Sequence, residues 1–395
     1  MRILHLYKDY FPVLGGIENH IKWLAEGMAG RGHDVSVLVT NTGRGDVAET
    51  VNGVQVVKVS RYFNISSAPI GLGMAGELRR LGRDAQIVHL HAPYPPGELA
   101  QLLVAAGQRT VITWHSDIVK QAGLLRFYAP FLRAALQQAD KILVASPPYI
   151  QSSAFLRPIY ERTPERIAVV PFGIDLARFA PNPTFAPSPT VGEGRGWGSE
   201  AAAIRARCGP GPLVLFVGRM RYYKGLHVLV EAMAQVENAR CLIVGVGPLE
   251  AEIRSQVAAL GLAERVFFAG EVDDADLPAY YRAADIFCLP SVHRSEALGI
   301  VLLEAMASGL PLISTELGTG TSWVNLHETT GLVVPPEDAD ALAAAIDQLA
   351  RNDGERRGFG QAALSRAVSE FGLEQMLERT EGIYRGVLVA KQPNL

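Results

Sequence analysis

Short apolar runs alternate with helical patterns along the whole chain, and this alternation predicts βαβ units with parallel sheets covered on both faces. The predicted strands of the first half are Ile3–Tyr7, Val35–Thr40, Val54–Val59, Ile87–His91, Thr110–Trp114, Lys141–Ala145 and Ile167–Val170. Those of the second half are Leu213–Val217, Cys241–Val244, Val266–Ala269, Ile286–Leu289, Leu312–Ser314 and Leu332–Val334. Between strands the apolar residues recur at helical spacing, as in Ile17–Met28. The pattern predicts an α/β fold with two Rossmann-like, doubly wound domains.

A segment rich in proline, glycine and serine separates the two series of elements. We therefore predict an N-terminal domain over residues 1–180, a linker over 181–211 and a C-terminal domain over 212–373. A last helix is predicted over 374–391, with an apolar face that needs a partner in one of the domains. Two such domains facing each other would form a central cleft, and open α/β sheets bind ligands beyond the carboxyl ends of their strands.

Composition excludes several classes of protein. With 48% hydrophobic residues the chain is not disordered, and 37 Lys plus Arg against 40 Asp plus Glu provide no basic field for nucleic acid. The cysteines, Cys208, Cys241 and Cys288, are far apart and suit a reducing compartment. The chain opens without a signal-peptide pattern, and no apolar run approaches the ~20 residues that span a bilayer. We expect a cytoplasmic protein whose membrane contact, if any, is peripheral.

The first predicted strand is followed by a loop that ends in Gly15 and Gly16, where the first helix begins. Paired glycines let a backbone approach a ligand closely, and the start of a helix offers free N–H groups to an anion or a sugar oxygen. The alternative is an ordinary turn between a strand and a helix.

Two cations follow the first strand of the C-terminal half. Arg219 lies just past the strand, and Lys224 comes five residues later, where a helix starts. An arginine fork and a compact lysine charge together suit a diphosphate and could replace a metal in neutralising it as it departs. The alternative is a solvated basic turn.

Two glutamates, Glu296 and Glu304, flank the start of another helix. Glu304 stands in a wholly apolar helical run, where a carboxylate is unfavourable unless it receives hydrogen bonds or a cation. Glu296 lies in the loop before that helix, close to the free amides of Leu298 and Gly299. The pair favours recognition of a polyol; as an alternative, Glu296 only caps the helix and Glu304 is a satisfied core carboxylate.

Two further motifs favour neither a dinucleotide nor a metal. Gly245-Val246-Gly247 follows a strand, but the third glycine of the dinucleotide fingerprint is absent. His89, His91 and His115 end two strands without the ligand spacing of a metalloprotease helix. We predict no metal and no cofactor, and place His115 at the mouth of the cleft, with a structural role as its alternative.

Taken together, these motifs resemble those of the retaining glycosyltransferases of family 4, also called glycosyl transferases group 1, which have the GT-B fold. The most specific element is the pair of glutamates with seven residues between them, supported by Arg219 and Lys224 upstream. The resemblance implies that Glu304 binds the nucleotide ribose and that the two cations hold the diphosphate. One departure is visible: the family usually has Glu-Gly-Phe-Gly or Glu-Pro-Phe-Gly where this chain has Glu-Ala-Leu-Gly.

The resemblance also implies a full set of site residues. The catalytic candidates are Arg219, Lys224, Glu296 and His115. The donor-binding candidates are Gly15, Gly16, Arg219, Lys224, Val272, Glu296, Ala297, Leu298, Gly299, Ile300 and Glu304. The last helix is expected to cross back onto the N-terminal domain.

The expected reaction transfers a hexose, with GDP-mannose favoured over a UDP-sugar, to a saccharide or polyprenyl-linked acceptor in bacterial surface polysaccharide synthesis. The segment Lys120–Leu136 alternates cations with apolar residues and could rest on an anionic membrane; alternatively it is a partly buried helix whose arginine stems cover apolar surface. Two other functions stay open: a nucleotide-sugar epimerase of similar fold, and a catalytically silent homologue that acts as an assembly partner. The missing fingerprint disfavours an NAD-dependent dehydrogenase.

Overall fold

The computed structural model contains two compact units. Unit 1 is built from residues 1–173 and from the segment that starts at Leu373, and unit 2 is Ile174–Gly372. The structure describes residues 1–13, 15–65, 68–118, 122–181 and 197–390.

Unit 1 is an α/β unit around an eight-stranded sheet. Its strands are β1 Arg2–Leu6, β2 Asp34–Thr40, β3 Val47–Val51, β4 Val54–Val59, β7 Ile87–Ala92, β8 Arg109–Trp114, β9 Lys141–Val144 and β10 Ile167–Val169, with β5 Phe63–Ile65 and β6 Ala68–Ile70 forming a separate hairpin. The helices are α1 Gly16–Gly30, α2 Met74–Gly82, α3 Pro95–Val104, α4 Ala122–Gln138, α5 Pro147–Ser152 and α6 Arg157–Arg162, followed by a 3₁₀ turn at Pro164–Arg166.

The large sheet of unit 1 has the order β10-β9-β8-β7-β1-β2-β4-β3. All neighbours pair in parallel except the edge strand β3, which is antiparallel to β4 and exposed along nearly its whole length. The central strand β7 is buried at every residue, as expected for a parallel strand that is covered on both faces.

Unit 2 holds a second, six-stranded sheet. Its helices are α7 Leu176–Phe179, α8 Trp197–Cys208, α9 Leu226–Gln235, α10 Glu250–Ala259, α11 Leu277–Ala283, α12 Ile300–Ala307, α13 Thr321–Val324, α14 Ala339–Arg351 and α15 Asp353–Glu370, with a 3₁₀ turn at Tyr222–Lys224. Its strands are β11 Leu213–Val217, β12 Arg240–Val244, β13 Val266–Gly270, β14 Ile286–Leu289, β15 Leu312–Thr315 and β16 Gly331–Val334. All of them pair in parallel, in the order β13-β12-β11-β14-β15-β16.

The strands predicted from the apolar pattern are all present, with ends within one residue of the prediction. The edge strand β3 and the hairpin β5–β6 were not predicted. In β3 the side chains of Val47 to Thr50 are exposed, so the strand carries no alternation of buried and exposed positions that a pattern could reveal.

The last helix, α16 Leu373–Val389, belongs to unit 1. Its Leu377 packs against α1 at Gly27, where an added Cβ would lie 2.5 Å from the leucine Cδ1. Arg31, the residue after α1, donates hydrogen bonds to Glu374 at 2.6 Å and to Glu381 at 3.0 Å. The apolar face predicted for this helix is thus buried against unit 1.

The region 181–211 is not a linker throughout. Residues 182–196 lie outside the described residues, but residues 197–208 form α8, which packs on α11. Ala201, Ile204 and Cys208 are buried at helical spacing, and Arg205 donates a hydrogen bond to the Asp285 carboxylate at 2.5 Å. The proline and glycine composition that predicted a linker therefore ends before this helix.

Among the described residues, no helix combines the length and the hydropathy that a membrane span requires. The described free cysteines, Cys208, Cys241 and Cys288, are all buried.

Candidate functional site

In the six-stranded sheet of unit 2 the order of the strands reverses between β11 and β14, which are neighbours in the sheet. The strands that follow β11 extend the sheet to one side, and those that follow β14 extend it to the other. Open α/β sheets bind ligands at such a switch point, beyond the carboxyl ends of the strands. The loop after β11 carries Arg219 and Lys224, and the loop after β14 carries Glu296.

Backbone contacts hold these two loops together. Val292 donates its N–H to the Tyr223 carbonyl oxygen at 2.8 Å. Gly225 has a φ of +67°, and a Cβ there would lie 1.9 Å from the carbonyl oxygen of Pro290. The left-handed backbone and the close approach together require glycine at this position. The turn that precedes α9 therefore lies directly on the loop that precedes α12.

This contact brings Lys224 and Glu296 into an ion pair. The lysine Nζ lies 2.5 Å from Glu296 Oε2, and both residues are 8% exposed. The buried Ser291 hydroxyl donates a second hydrogen bond to the same carboxylate oxygen at 3.1 Å. Two residues that are far apart in the sequence thus form one charged centre at the switch point.

The two cations of the loop after β11 differ in environment. Burial lowers the pKa of Lys224, but the Glu296 carboxylate outweighs that effect together with Tyr223 and Glu304, so the pKa is raised overall and the side chain is cationic at neutral pH. Arg219 is exposed, and its guanidinium forms no ion pair with the described residues. Its charge is available to an anion.

Glu304 lies on α12 and points to a different set of partners. The Tyr281 hydroxyl of α11 donates a hydrogen bond to Glu304 Oε2 at 2.6 Å, and both side chains are buried. Burial is the largest effect on the pKa of Glu304, and with Asp274 it outweighs the lowering effects of Tyr281, Arg178 and Lys224, so the pKa is raised to about 7. The carboxyl group is therefore half protonated near neutral pH.

The segment between the two glutamates leads into the N-terminus of α12. The Ala297 carbonyl accepts the Gly320 N–H at 2.7 Å, and Thr319 donates its hydroxyl to the Glu296 carbonyl at 2.8 Å. Within the part of the chain that the structure describes, the N–H groups of Leu298 and Gly299 find no acceptor. Ile300 begins the helix, so these two amides are free donors at its N-terminus.

The neighbouring strand ends complete this edge of the sheet. Gly245, after β12, has a φ of +117°, and a Cβ there would lie 2.3 Å from the Gly218 carbonyl oxygen. Gly218 and Gly245 thus let the loops after β11 and β12 pack backbone to backbone. This close packing accounts for Gly245 in the motif Gly245-Val246-Gly247 without a bound dinucleotide. Val272, the residue expected near the base, is half-buried two residues after β13.

In unit 1, Gly15 and Gly16 mark the start of α1 as expected, while Leu14 lies outside the described residues. The helix N-terminus is not open. A Cβ on Gly15 would lie 2.3 Å from Glu18 Oε2, so the Glu18 carboxylate folds back over the glycine, and Lys8 Nζ lies 3.8 Å from its other oxygen. An anion bound here would have to displace this carboxylate.

His115 follows β8 in unit 1 and is 3% exposed. Its Nε2 lies 3.0 Å from His91 Nδ1, whereas its Nδ1 has no hydrogen-bond partner among the described residues. It therefore belongs to a buried histidine cluster, and its Nδ1 is buried without a partner among the described residues.

Four supporting residues were not predicted. Ser291 and Tyr281 bind the two glutamates, but a serine after a strand and a tyrosine in a helix carry no local signal of that role. His5 and His20 join the histidine cluster of unit 1. The period-two spacing of His89 and His91 places both on one face of β7 and was a signal for that cluster.

Two family models and several relatives match this chain. Residues 203–366 match the model of the glycosyl transferases group 1, and residues 14–178 match that of glycosyltransferase family 4. The chain is 37% identical to the D-rhamnosyltransferase WbpZ of Pseudomonas aeruginosa, covering 93% of this chain and 91% of that protein. It is 34% identical to the O-antigen chain mannosyltransferase C of Escherichia coli, covering 99% and 100%.

A solved structure shows the same fold. The sucrose-phosphate synthase of Thermosynechococcus elongatus superposes with a TM-score of 0.78 at 25% identity, covering 99% of this chain and 100% of that one. The predicted fold class, two Rossmann-like domains of GT-B type, is confirmed, as is the family resemblance.

Proposed function

This chain belongs to the glycosyl transferases group 1 and glycosyltransferase family 4, and on that premise we propose that it is a retaining hexosyltransferase that uses a nucleoside-diphosphate sugar. The observation that carries the proposal is the buried pair of Lys224 and Glu296 at the switch point of unit 2, 2.5 Å apart. Glu304, the second glutamate of the motif, accepts a hydrogen bond from Tyr281. A cation for a diphosphate and two carboxylates for hydroxyl groups match the parts of such a donor.

In the proposed reaction the glycosidic bond to the nucleoside diphosphate breaks, and the acceptor oxygen bonds to the same face of the sugar. A phosphate oxygen of the departing group takes the acceptor's proton. Arg219 and Lys224 stabilise the negative charge that develops on the diphosphate, at about 3–4 kcal/mol for a well-placed donor. We propose that these fixed charges replace a metal ion, so that no metal or other cofactor takes part.

The remaining site residues have proposed contacts with the donor. Glu304 accepts hydrogen bonds from the ribose, Glu296 lies by the sugar, and Val272 lies near the base. The free amides from Ala297 to Ile300 bind sugar or phosphate oxygens. In unit 1, His115 contacts the sugar, and Gly15 with Gly16 binds the diphosphate after Glu18 has moved away.

We propose mannose as the sugar and GDP as the leaving group. The relatives named above are a mannosyltransferase and a rhamnosyltransferase, and one of them acts on O-antigen chains according to its name. The acceptor is then a saccharide or a polyprenyl-linked saccharide of a bacterial surface polysaccharide. We place the reaction in the cytoplasm, at the membrane where such an acceptor is held.

Part of the surface of α4 supports this location. Phe127 and Phe131 of this helix are 77% and 50% exposed, and Arg126 is exposed beside them. Leu132 is buried and Arg133 stacks on Phe155, so the opposite face packs on the unit as the alternative interpretation required. Residues 120 and 121 of the segment lie outside the described residues. We propose that the two phenylalanines insert into an anionic membrane surface.

Sedimentation with phosphatidylglycerol vesicles tests the membrane contact. The double variant Phe127→Ser, Phe131→Ser should stay in the supernatant while the wild type sediments. Leu260→Ser, at a 44% exposed leucine of unit 2, is the matched control and should sediment like the wild type. Absence of wild-type binding, or equal loss in the control, contradicts the proposal.

Donor specificity is tested by thermal shift with GDP-, UDP- and ADP-sugars, because a ligand of the native state raises the melting temperature with its concentration. GDP-mannose should give the largest shift. Product analysis then separates the remaining functions: a transferase consumes the donor rapidly only with an acceptor, whereas an epimerase turns it over alone. A silent homologue binds the donor and releases no nucleotide under either condition.

A further inference from the structure

Unit 1 contains a cluster of five histidines that the proposed reaction uses only at its edge. His5 comes from β1, His89 and His91 from β7, His20 from α1, and His115 follows β8. None of them is more than 3% exposed. So many buried imidazoles at the carboxyl ends of neighbouring strands need an account of their hydrogen bonding.

The strand register explains why the rings meet. His5 pairs with His89 between the parallel strands β1 and β7, and His91 pairs with Thr113 of β8. Since side chains two residues apart share a face of a sheet, His91 and His115 extend the same face outwards. The sheet thus arranges the rings in a row towards the end of the strands.

Three of these rings form a continuous hydrogen-bonded chain. His5 Nδ1 lies 3.1 Å from His91 Nε2, and His91 Nδ1 lies 3.0 Å from His115 Nε2. The ring planes are tilted by only 26° and 21°. The ring centroids are 5.3 and 5.2 Å apart, about as far as these N···N distances allow, so the bonded nitrogens lie between the rings. These are in-plane N–H···N hydrogen bonds.

The two ends of the chain are open. His5 Nε2 and His115 Nδ1 are both buried and find no partner within the described residues. Burial lowers the pKa of His5 to about 3 and holds the pKa values of His91 and His115 well below 6.5, with further lowering by neighbouring histidines. All three rings are therefore neutral at physiological pH, and each has one N–H group and one acceptor nitrogen.

A chain of neutral imidazoles has only two proton arrangements, because each bond needs one donor and one acceptor. In one arrangement all three rings carry the proton on Nε2, and in the other all three carry it on Nδ1. The Nε2–H form is the intrinsically preferred tautomer of a neutral histidine side chain, and in the first arrangement all three rings adopt it.

We propose that His91 and His5 are positioning residues that hold His115 in the Nε2–H tautomer, so that its Nδ1 lone pair accepts a hydrogen bond from a hydroxyl group of the donor sugar. The assignment of this hydroxyl group to the donor sugar rests on the proposed function, whereas the tautomer of His115 does not. If the His91 ring moved, His115 would lose its hydrogen-bond partner, and its tautomer would no longer be fixed.

His89 keeps the central ring in place. Its Nδ1 lies 2.5 Å from the Tyr384 hydroxyl of α16, and its Nε2 lies 2.7 Å from Thr113 Oγ1. With both nitrogens bonded, its ring stacks on His91 at a centroid distance of 4.4 Å. The last helix of the chain therefore fixes the ring on which the hydrogen-bonded chain depends.

A metal ion is the competing occupant of this cluster. His5, His89 and His91 form one set of three nitrogens close enough to share an ion, and His20, His91 and His115 form another. A bound ion requires the lone pairs of its ligands to converge on one point. In the chain described above the nitrogens instead point at each other, so the geometry favours hydrogen bonds.

The test is nitrogen NMR of protein labelled with ¹⁵N-histidine, in which the tautomer of each neutral ring is read from its two nitrogen shifts. The wild type should show His115 in the Nε2–H form alone. His91→Asn keeps a polar atom near the position of Nδ1 and should retain that form. His91→Gln keeps one near the position of Nε2 instead, which should leave His115 in a mixture of tautomers.

Transfer kinetics with the same variants provide the functional readout. Only the Nε2–H fraction of His115 accepts the sugar hydroxyl, so the kcat/KM of His91→Gln should fall by the factor by which that fraction falls, about twofold for an equal mixture, whereas His91→Asn should keep the wild-type value. Thermal melts establish that both variants are folded. If one of them is not, the His115 tautomer in the wild-type spectrum tests the proposal by itself.

Several results would overturn the proposal. A mixture of tautomers at His115 in the wild type does so, as does an unchanged His115 spectrum in His91→Gln. Stoichiometric zinc in the purified protein, with histidine shifts that change when a chelator removes it, would assign the cluster to a metal instead. Absence of glycosyl transfer by the wild type contradicts the proposed function but leaves the tautomer result to be judged on the spectra.

Discussion

The raised pKa of Glu304 makes donor binding dependent on pH in a calculable way. Its rise from 4.5 to about 7 comes first from burial, and it corresponds to about 3 kcal/mol against the ionised form. If ribose hydroxyls donate hydrogen bonds to Glu304, as we propose, the ionised protein is the form that binds. The nucleotide sugar therefore binds to protein in which Glu304 is already deprotonated, or its binding displaces the Glu304 proton.

The magnitude follows from the ionised fraction, because the apparent Kd equals the intrinsic Kd divided by the binding-competent fraction. That fraction is about 0.9 at pH 8, about 0.5 at pH 7 and about 0.1 at pH 6 for a pKa of about 7. The Kd of a nucleotide sugar should therefore rise about tenfold between pH 8 and pH 6. A carboxylate of ordinary pKa would give no change over this range.

The same shift affects stability in the opposite direction. Between pH 4.5 and about 7 the folded protein keeps a proton on Glu304 that the unfolded chain has released, so the free energy of unfolding falls as pH rises through this window. Glu304→Gln has no such proton. Its stability relative to the wild type should increase as pH rises towards 7 and then level off.

Isothermal titration calorimetry at pH 6, 7 and 8 checks the binding prediction, with the intact nucleotide sugar as ligand because its diphosphate does not titrate there. Glu304→Gln should bind more weakly than the wild type at pH 8 and show little dependence on pH. Tyr281 can still donate its hydrogen bond to the new amide oxygen, so the fold should be kept. A wild-type affinity that stays constant from pH 8 to pH 6, or equal pH dependence in the glutamine variant, refutes this role.

Three further outcomes are expected. Arg219→Ala or Lys224→Ala should lower turnover by about 10²- to 10³-fold in a steady-state transfer assay while the melting temperature shows a folded protein; wild-type turnover in either variant contradicts their assignment. Gly225→Ala should destabilise unit 2 severely in thermal melts, because its Cβ would lie 1.9 Å from the Pro290 carbonyl oxygen. Tyr384→Phe should reduce the free energy of unfolding by about 1–3 kcal/mol in urea titrations, because it leaves a buried histidine nitrogen without its partner.

Gly261 provides the control for the glycine prediction. It has the same φ of +67°, but a Cβ there would meet nothing within 4 Å. Gly261→Ala should therefore show only the effect of a left-handed alanine, about 1–2 kcal/mol. Equal melting temperatures for the two alanine variants would mean that the close approach at Pro290 contributes nothing.

The sequence by itself determined the architecture, because alternating apolar runs and helical patterns are local properties. Each predicted strand occurs within one residue of its expected ends, and the two series of strands fold into two parallel sheets. The motif from Glu296 to Glu304 and the two cations upstream were also sufficient to recognise the family. The composition of residues 181–211 predicted a linker where residues 197–208 form α8, because the glycines of this region are followed by consecutive alanines, which favour a helix.

Only the tertiary structure decided which of these residues act together. Lys224 and Glu296 meet because β11 and β14 are neighbours in the sheet, and no local pattern specifies that order. Likewise, the alternation of residues in β7 placed His89 and His91 on one face, but the register with β1 and the return of α16 gave them His5 and Tyr384 as partners. Local propensity sets the elements, whereas the distances between their side chains depend on sheet order and packing between residues that are remote in the chain.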